Sequence, residues 1–142
     1  MDLNSKVKIY DQQGFAAMRE AGRMVAEVLD EIAAYVKPGV STDELDMHAR
    51  ELMKQRGATP AALGYRGVKM PFPKAICTSV KHVVCHGIPD HRKLEEGDTL
   101  NIDAAVIYNG WYGDSGRMYW VGENIPQKAK RLTQATYEAM ML

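Results

Sequence analysis

LNIDAAVIYNGWYGDSGRMYWV, residues 100–121, is the stretch whose reading decides the fold. Two strand-like runs, Leu100–Tyr108 and Trp111–Val121, flank Asn109-Gly110. An Asn-Gly pair tolerates the two left-handed residues of a tight turn whose twist matches that of paired strands, so an antiparallel hairpin is expected. With a two-residue loop the register follows by counting. Tyr108 opposes Trp111, Val106 opposes Gly113, and Ala105 opposes Asp114. Asp103 lies two residues from Ala105, so it shares that face and stands diagonal to Asp114, about 7 Å away along the backbone. A bulge at Gly113 or Gly116 would change this count.

Two carboxylates so placed repel each other and lose hydration, a situation relieved by a shared proton or a bound cation. A divalent ion held by carboxylate oxygens is the economical solution, and a pair of ions bridged by the two side chains is also open. Spacing alone leaves equally open a pair of solvated aspartates on an exposed hairpin face. The flanking Ile102, Ala104, Ala105, Val106 and Ile107 favour a strand buried on both faces. His86 ends the strand-like run His82–Cys85 and precedes Gly87-Ile88-Pro89, a place from which an imidazole can donate to a carbonyl or to developing charge. A histidine there is more often structural or simply at the surface. Tyr65, Phe72, Cys77, Trp111 and Met118 have a plain reading as core or loop-packing residues, and His48, His82 and His91 carry no readable role.

Outward from the hairpin, the period changes from two to that of a helix. Phe15, Met18, Gly22, Val25, Leu29, Ile32 and Val36 form one stripe with charged residues around it, and Pro38-Gly39 stops the run. Ser41-Thr42-Asp43-Glu44 reads as a capping box that starts a second helix, with Leu45, Ala49, Leu52 and Met53 inward and Gly57 at its end. Residues 60–74 hold three prolines and two glycines and are expected to form a loop. Ala75–Val80 and His82–Cys85 read as short strands, Gly87–Asp90 as a turn, and Pro126–Leu142 as helix.

At 142 residues the chain is long enough for one domain with a real core, and 46% hydrophobic with 25% charged residues is a globular composition. Eighteen basic and eighteen acidic side chains cancel, which removes the bulk field that would draw nucleic acid or anionic lipid. No apolar run approaches the roughly 20 residues of a membrane span. The start MDLNSKVKIYDQQG lacks the apolar core of a signal peptide. Cys77 and Cys85 form no CxxC pair and are expected as buried free thiols, which suits a cytoplasmic protein.

VVCHGIP at 83–89, GDTLNID at 97–103 and WYGDSGRM at 111–118 carry a resemblance that spans nearly the whole chain. Together with AGRMVA at 21–26 and VKPGVSTDEL at 36–45, and in this order, they resemble the N-terminal half of bacterial type I methionine aminopeptidases. The resemblance implies an α+β pita-bread fold. Residues 1–142 would be a single domain corresponding to one α/β half, with two N-terminal helices, an antiparallel sheet and a C-terminal helix. It implies a metallo-exopeptidase that removes the initiator methionine from nascent proteins and peptides by attack of a metal-bound hydroxide. By that match Asp103 is a bidentate ligand and Asp114 a bridging ligand of two divalent ions (cobalt, manganese, iron or zinc). His86 contacts substrate and helps stabilise the tetrahedral intermediate. Tyr65 and Cys77 line the methionine pocket, with Phe72 as a further aromatic.

The match also carries departures. The family's other ligands, a histidine and two glutamates, belong to its C-terminal half, and neither Glu123 nor Glu138 stands in for them. Ala62 replaces a common pocket cysteine, Lys81 replaces an asparagine near a monovalent-cation site, and the loop through residues 68–74 is longer than usual. The chain is therefore expected to be a fragment, holding metal weakly or not at all and inactive alone. Its half-sheet would expose an apolar face and drive self-association. Implied partners are the N-terminal methionine of peptides and nascent proteins, with proximity to the ribosome but no direct nucleic-acid or membrane contact. The alternative is a catalytically dead pita-bread module used for binding.

Overall fold

The structure, a computed structural model, describes residues 8–67 and 70–142. Asp11 caps the first helix, α1 (Gln12–Ile32), its carboxylate accepting the Gly14 N–H at 2.9 Å. A 3-10 turn, Ala33–Tyr35, extends α1 toward Pro38-Gly39. The buried line of α1 is Gly14, Ala21, Val25, Val28, Leu29 and Ile32. Phe15 and Met18, expected in the stripe, are instead 49% and 43% exposed. The first turns of α1 lie against the hairpin tip, where a Cβ on Gly14 would meet the Trp111 ring at 3.2 Å, so a larger residue at position 14 would crowd that contact.

The second helix, α2 (Thr42–Gln55), begins with the capping box read from sequence. Ser41 Oγ accepts the Glu44 N–H at 3.2 Å, and the Ser41 N–H donates to Glu44 Oε2 at 2.7 Å. The Ser41 N–H, and then the Ser41 hydroxyl donating to the same Oε2 at 2.7 Å, hold the Glu44 carboxyl below its ordinary range. Past the helix, Gly57 turns the chain at φ +71°.

Four strands form one antiparallel sheet: β1 (Thr59–Pro60), β2 (Ile76–Val80), β3 (Thr99–Tyr108) and β4 (Trp111–Trp120). All three others pair with β3. Asn109 (φ +49°) and Gly110 (φ +80°) make the hairpin turn. The β3–β4 ladder runs unbroken from Tyr108↔Trp111 to Thr99↔Trp120, so no bulge disturbs the counted register. Burial alternates along β3. Leu100, Ile102, Ala104 and Val106 are buried, whereas Asn101, Asp103, Ala105 and Ile107 are only half-buried. The expectation of a strand buried on both faces is thus corrected: α1 and α2 cover one face of the sheet.

On that covered face Leu29, Ile32, Leu45, Met53, Ile76, Leu100, Ile102 and Val106 pack into one cluster. Each contributes roughly 1.5–3 kcal/mol by leaving water. Gly113 lets α1 lie directly on β4, since a Cβ there would overlap the Ala21 carbonyl. Tyr119 donates its hydroxyl to the Leu29 carbonyl at 2.6 Å, which locks the same contact further along.

Two local expectations fail. His82–Cys85 is not a strand. Lys81 takes a left-handed conformation (φ +54°) and Val83 N–H bonds back to the Val80 carbonyl at 3.1 Å, which turns the chain off the sheet. Residues 87–90 form irregular chain instead of a turn. The last helix, α3 (Gln127–Met140), has the expected extent but no buried residue. Among the described residues no helix is long and apolar enough to cross a membrane.

Candidate functional site

The uncovered face of the sheet carries the residues singled out above. In the β2–β3 ladder Cys77 stands directly opposite Asp103. In the β3–β4 ladder Gly116 opposes Asp103 and Ala105 opposes Asp114. The two small partners, Gly116 and Ala105, leave space beside each carboxylate, so Asp103 and Asp114 meet diagonally. The Asp103 carboxyl is held above its ordinary range, first by burial, then by the Asp114 charge and a hydrogen bond between the two side chains. The charge of His86 opposes this rise. Cys77 is pushed up to about 11 by burial, then by Asp103, Cys85 and Asp114, so its thiol stays protonated at neutral pH. Cys77, Cys85, His86, Asp103 and Asp114 therefore form one electrostatically connected patch. Both cysteines are free, but Cys85 is exposed and Cys77 only half-buried, contrary to the expectation of two buried thiols.

His86 reaches this patch from a loop, in a left-handed conformation at φ +55°. The following residue is clamped to β2. Gly87 N–H donates to Ser79 Oγ at 3.2 Å, and Thr78 N–H donates to the Gly87 carbonyl at 2.8 Å. At the start of the same loop, Lys81 N–H bonds the Thr99 carbonyl at 2.9 Å, and Lys81 Nζ lies 2.5 Å from Oδ1 of the fully buried Asp98.

Tyr65 and Phe72 share a small loop, closed by Phe72 N–H to the Tyr65 carbonyl (3.0 Å) and Gly64 N–H to the Phe72 carbonyl (2.8 Å). This loop starts beside the aspartates, since Ala61 N–H bonds the Ala105 carbonyl at 2.8 Å. Tyr65 is 67% exposed and Phe72 is half-buried. Val68 and Lys69, within the longer 68–74 segment, lie outside the described residues.

One side chain behind the site went unread in the sequence. Asp46, only 1% exposed, accepts Ala75 N–H at 2.7 Å and Ile76 N–H at 3.2 Å on Oδ1, and Arg50 Nε–H at 2.7 Å on Oδ2. It ties α2 to the start of β2 and so sets where Cys77 begins its ladder. The i, i+4 spacing of Asp46 and Arg50 was a readable sign of a pair, though not of its burial.

The face as a whole offers two convergent carboxylates, a histidine and a protonated thiol beside them. Among the described residues no three or more His, Cys, Asp and Glu side chains are gathered to hold a metal ion. Residues 16–142 match the family model of Metallopeptidase family M24, and the chain belongs to that family. It is 50% identical over 135 residues to the methionine aminopeptidase of Rickettsia prowazekii (strain Madrid E), covering 95% of this chain and 50% of the relative. It is 44% identical over 138 residues to the methionine aminopeptidase of Escherichia coli (strain K12), covering 96% of this chain and 50% of that protein. The crystal structure of the Rickettsia prowazekii enzyme superposes with a TM-score of 0.90, over 95% of this chain and 52% of that one. A Xaa-Pro dipeptidase from Bacillus anthracis, at 23% identity and a TM-score of 0.79, shares the fold. The expected pita-bread half is thereby established, with its helices and antiparallel sheet. The chain spans about half the length of the curated relatives it matches.

Proposed function

We propose that this chain supplies one half of a methionine aminopeptidase active site, which removes N-terminal methionine from peptides and nascent proteins. The observation that carries the reading is the half-buried Asp103 set diagonally beside the exposed Asp114, where burial and the Asp114 charge disfavour a bare Asp103 carboxylate. Such a pair suits one or two divalent cations, whether cobalt, manganese, iron or zinc. When bound, a divalent ion polarises the scissile carbonyl and lowers the pKa of water. Asp103 and Asp114 would hold that ion. His86 donates a hydrogen bond to the substrate carbonyl and steadies charge that develops on it. Cys77, neutral at working pH, presents a soft wall to a thioether, and Tyr65 and Phe72 complete the pocket from the neighbouring loop.

Two carboxylates leave most of a divalent ion's coordination to other donors. The reading takes those donors from a second half like that of the relatives, which are about twice as long. The uncovered face, with Met118, Trp120 and Tyr112 exposed, is then the surface that half would cover, and in the isolated chain it self-associates. The setting proposed is cytoplasmic, near the ribosome where nascent N-termini emerge.

Titration of the chain with Mn(II) or Co(II) by calorimetry, followed by an assay on a Met-Ala-Ser peptide, tests this. The expected result is a dissociation constant weaker than about 10⁻⁴ M, abolished in Asp103→Asn and Asp114→Asn, and no turnover by the chain alone. Metal binding that survives both substitutions would sink the ligand assignment. Micromolar binding with turnover would show that no second half is required.

A further inference from the structure

The loop that carries His86 lies between two left-handed residues, Lys81 at φ +54° and His86 itself at φ +55°. Neither is a glycine, and a residue with a Cβ stays in that conformation only where its surroundings hold it. At the Lys81 end the Thr99 carbonyl and the buried Asp98 carboxylate do the holding. At the His86 end the work falls to the two hydrogen bonds of Gly87. Its carbonyl accepts from Thr78 N–H, a backbone bond available to any residue at position 78. Its N–H donates to Ser79 Oγ, and that bond depends on one hydroxyl.

The Gly87 nitrogen is the atom that rotation about His86 ψ displaces. Anchoring it fixes ψ, and with it the direction in which the imidazole leaves the loop. Ser79 is well suited to serve as the anchor. It is 4% exposed, lies on β2 two residues from Cys77, and opposes Asn101, two residues from Asp103. Gly87 packs directly on the β2 backbone, where a Cβ would overlap the Thr78 carbonyl.

We propose that Ser79 is a positioning residue for His86, its buried hydroxyl holding the Gly87 amide so that the imidazole is aimed at the Asp103–Asp114 pair. The proposal rests on the reading of His86 as the substrate-contacting group. Ser79 acts through the backbone and touches no reacting atom.

The test compares wild type, Ser79→Ala and Ser79→Thr in the full chain. In the metal-free protein, Ser79→Ala speeds hydrogen exchange of the Gly87 amide roughly tenfold, as loss of a single local bond requires, and shifts the His86 ring resonances. Amides elsewhere in β2 and β3 keep their protection, and Ser79→Thr, which keeps an Oγ, restores the wild-type pattern. Unchanged Gly87 exchange and His86 resonances in Ser79→Ala would overturn the proposal. So would loosening that spreads evenly through β2 and β3, which would mark Ser79 as a general packing residue. The exchange and resonance measurements decide the matter without turnover. Metal binding that survives Asp103→Asn and Asp114→Asn counts against the proposed function and leaves that decision standing.

Discussion

Asp103 ionises at a cost in this fold, because burial and the Asp114 carboxylate both raise its pKa above the ordinary 3.8. A carboxyl whose folded pKa exceeds its unfolded one binds its proton more tightly in the native state. Its contribution to stability is therefore complete below about pH 3.8 and is lost as pH rises through the folded value. Asp103→Asn removes that charge. In chelator-treated protein at pH 7 the variant is expected to melt about 2 °C higher than wild type, a small gain because the site is partly solvated. At pH 3 the two midpoints converge. Scanning calorimetry at both pH values checks this, and equal midpoints at pH 7 would show that the carboxylates do not feel each other. The diagonal placement of this pair was legible from the sequence, since a two-residue turn leaves only one way to count. The placement of His86 was not. Its left-handed backbone depends on Ser79 and Thr78, reached across a loop whose path no local pattern announces.

The β3–β4 hairpin and α1 meet through Gly113, where helix backbone and strand backbone nearly touch. Gly113→Ala would drive a methyl group into the Ala21 carbonyl, with no flexible side chain to yield. A loss of roughly 3 kcal/mol is expected, at the upper end for overpacking, because the clash is with main chain. Chemical denaturation with an unchanged m-value would register it, and a loss under 1 kcal/mol would mean that α1 can shift freely on the sheet. The elements differ in how openly the sequence declares them. The α2 capping box and the hairpin turn are local devices, complete within four residues, and both form as read. His82–Cys85 misleads because its apolar, β-branched residues favour a strand, while Lys81 turns the chain off the sheet and only Gly87 returns to β2. Phe15 and Met18 mislead for a related reason. Helical periodicity gives the direction of a stripe, but which turns of it are covered depends on where the hairpin tip crosses.

Across the whole molecule, the two faces of the sheet have different fates. One is sealed by α1 and α2. The other leaves Tyr112, Met118 and Trp120 exposed, and beyond the hairpin α3 buries none of its residues. Apolar area of this kind associates in water. Sedimentation of the chain at tens of micromolar is expected to show reversible dimers that Trp120→Glu weakens severalfold. A monomer at all concentrations, with no binding of an apolar dye, would count against self-association through this face.

The sequence by itself determined the helix pair, the hairpin, its register and hence the adjacency of Asp103 and Asp114. Each of these follows from contacts between residues close along the chain or related by a single tight turn. Only the tertiary structure decided which face of β3 stays open, that Cys77 faces Asp103, and that His86 is brought to the pair. Those relations join segments tens of residues apart, through a buried Asp46, a buried Ser79 and a glycine without space for a side chain. Propensity carries no information about such pairings, because what selects them is the fit of one surface to another.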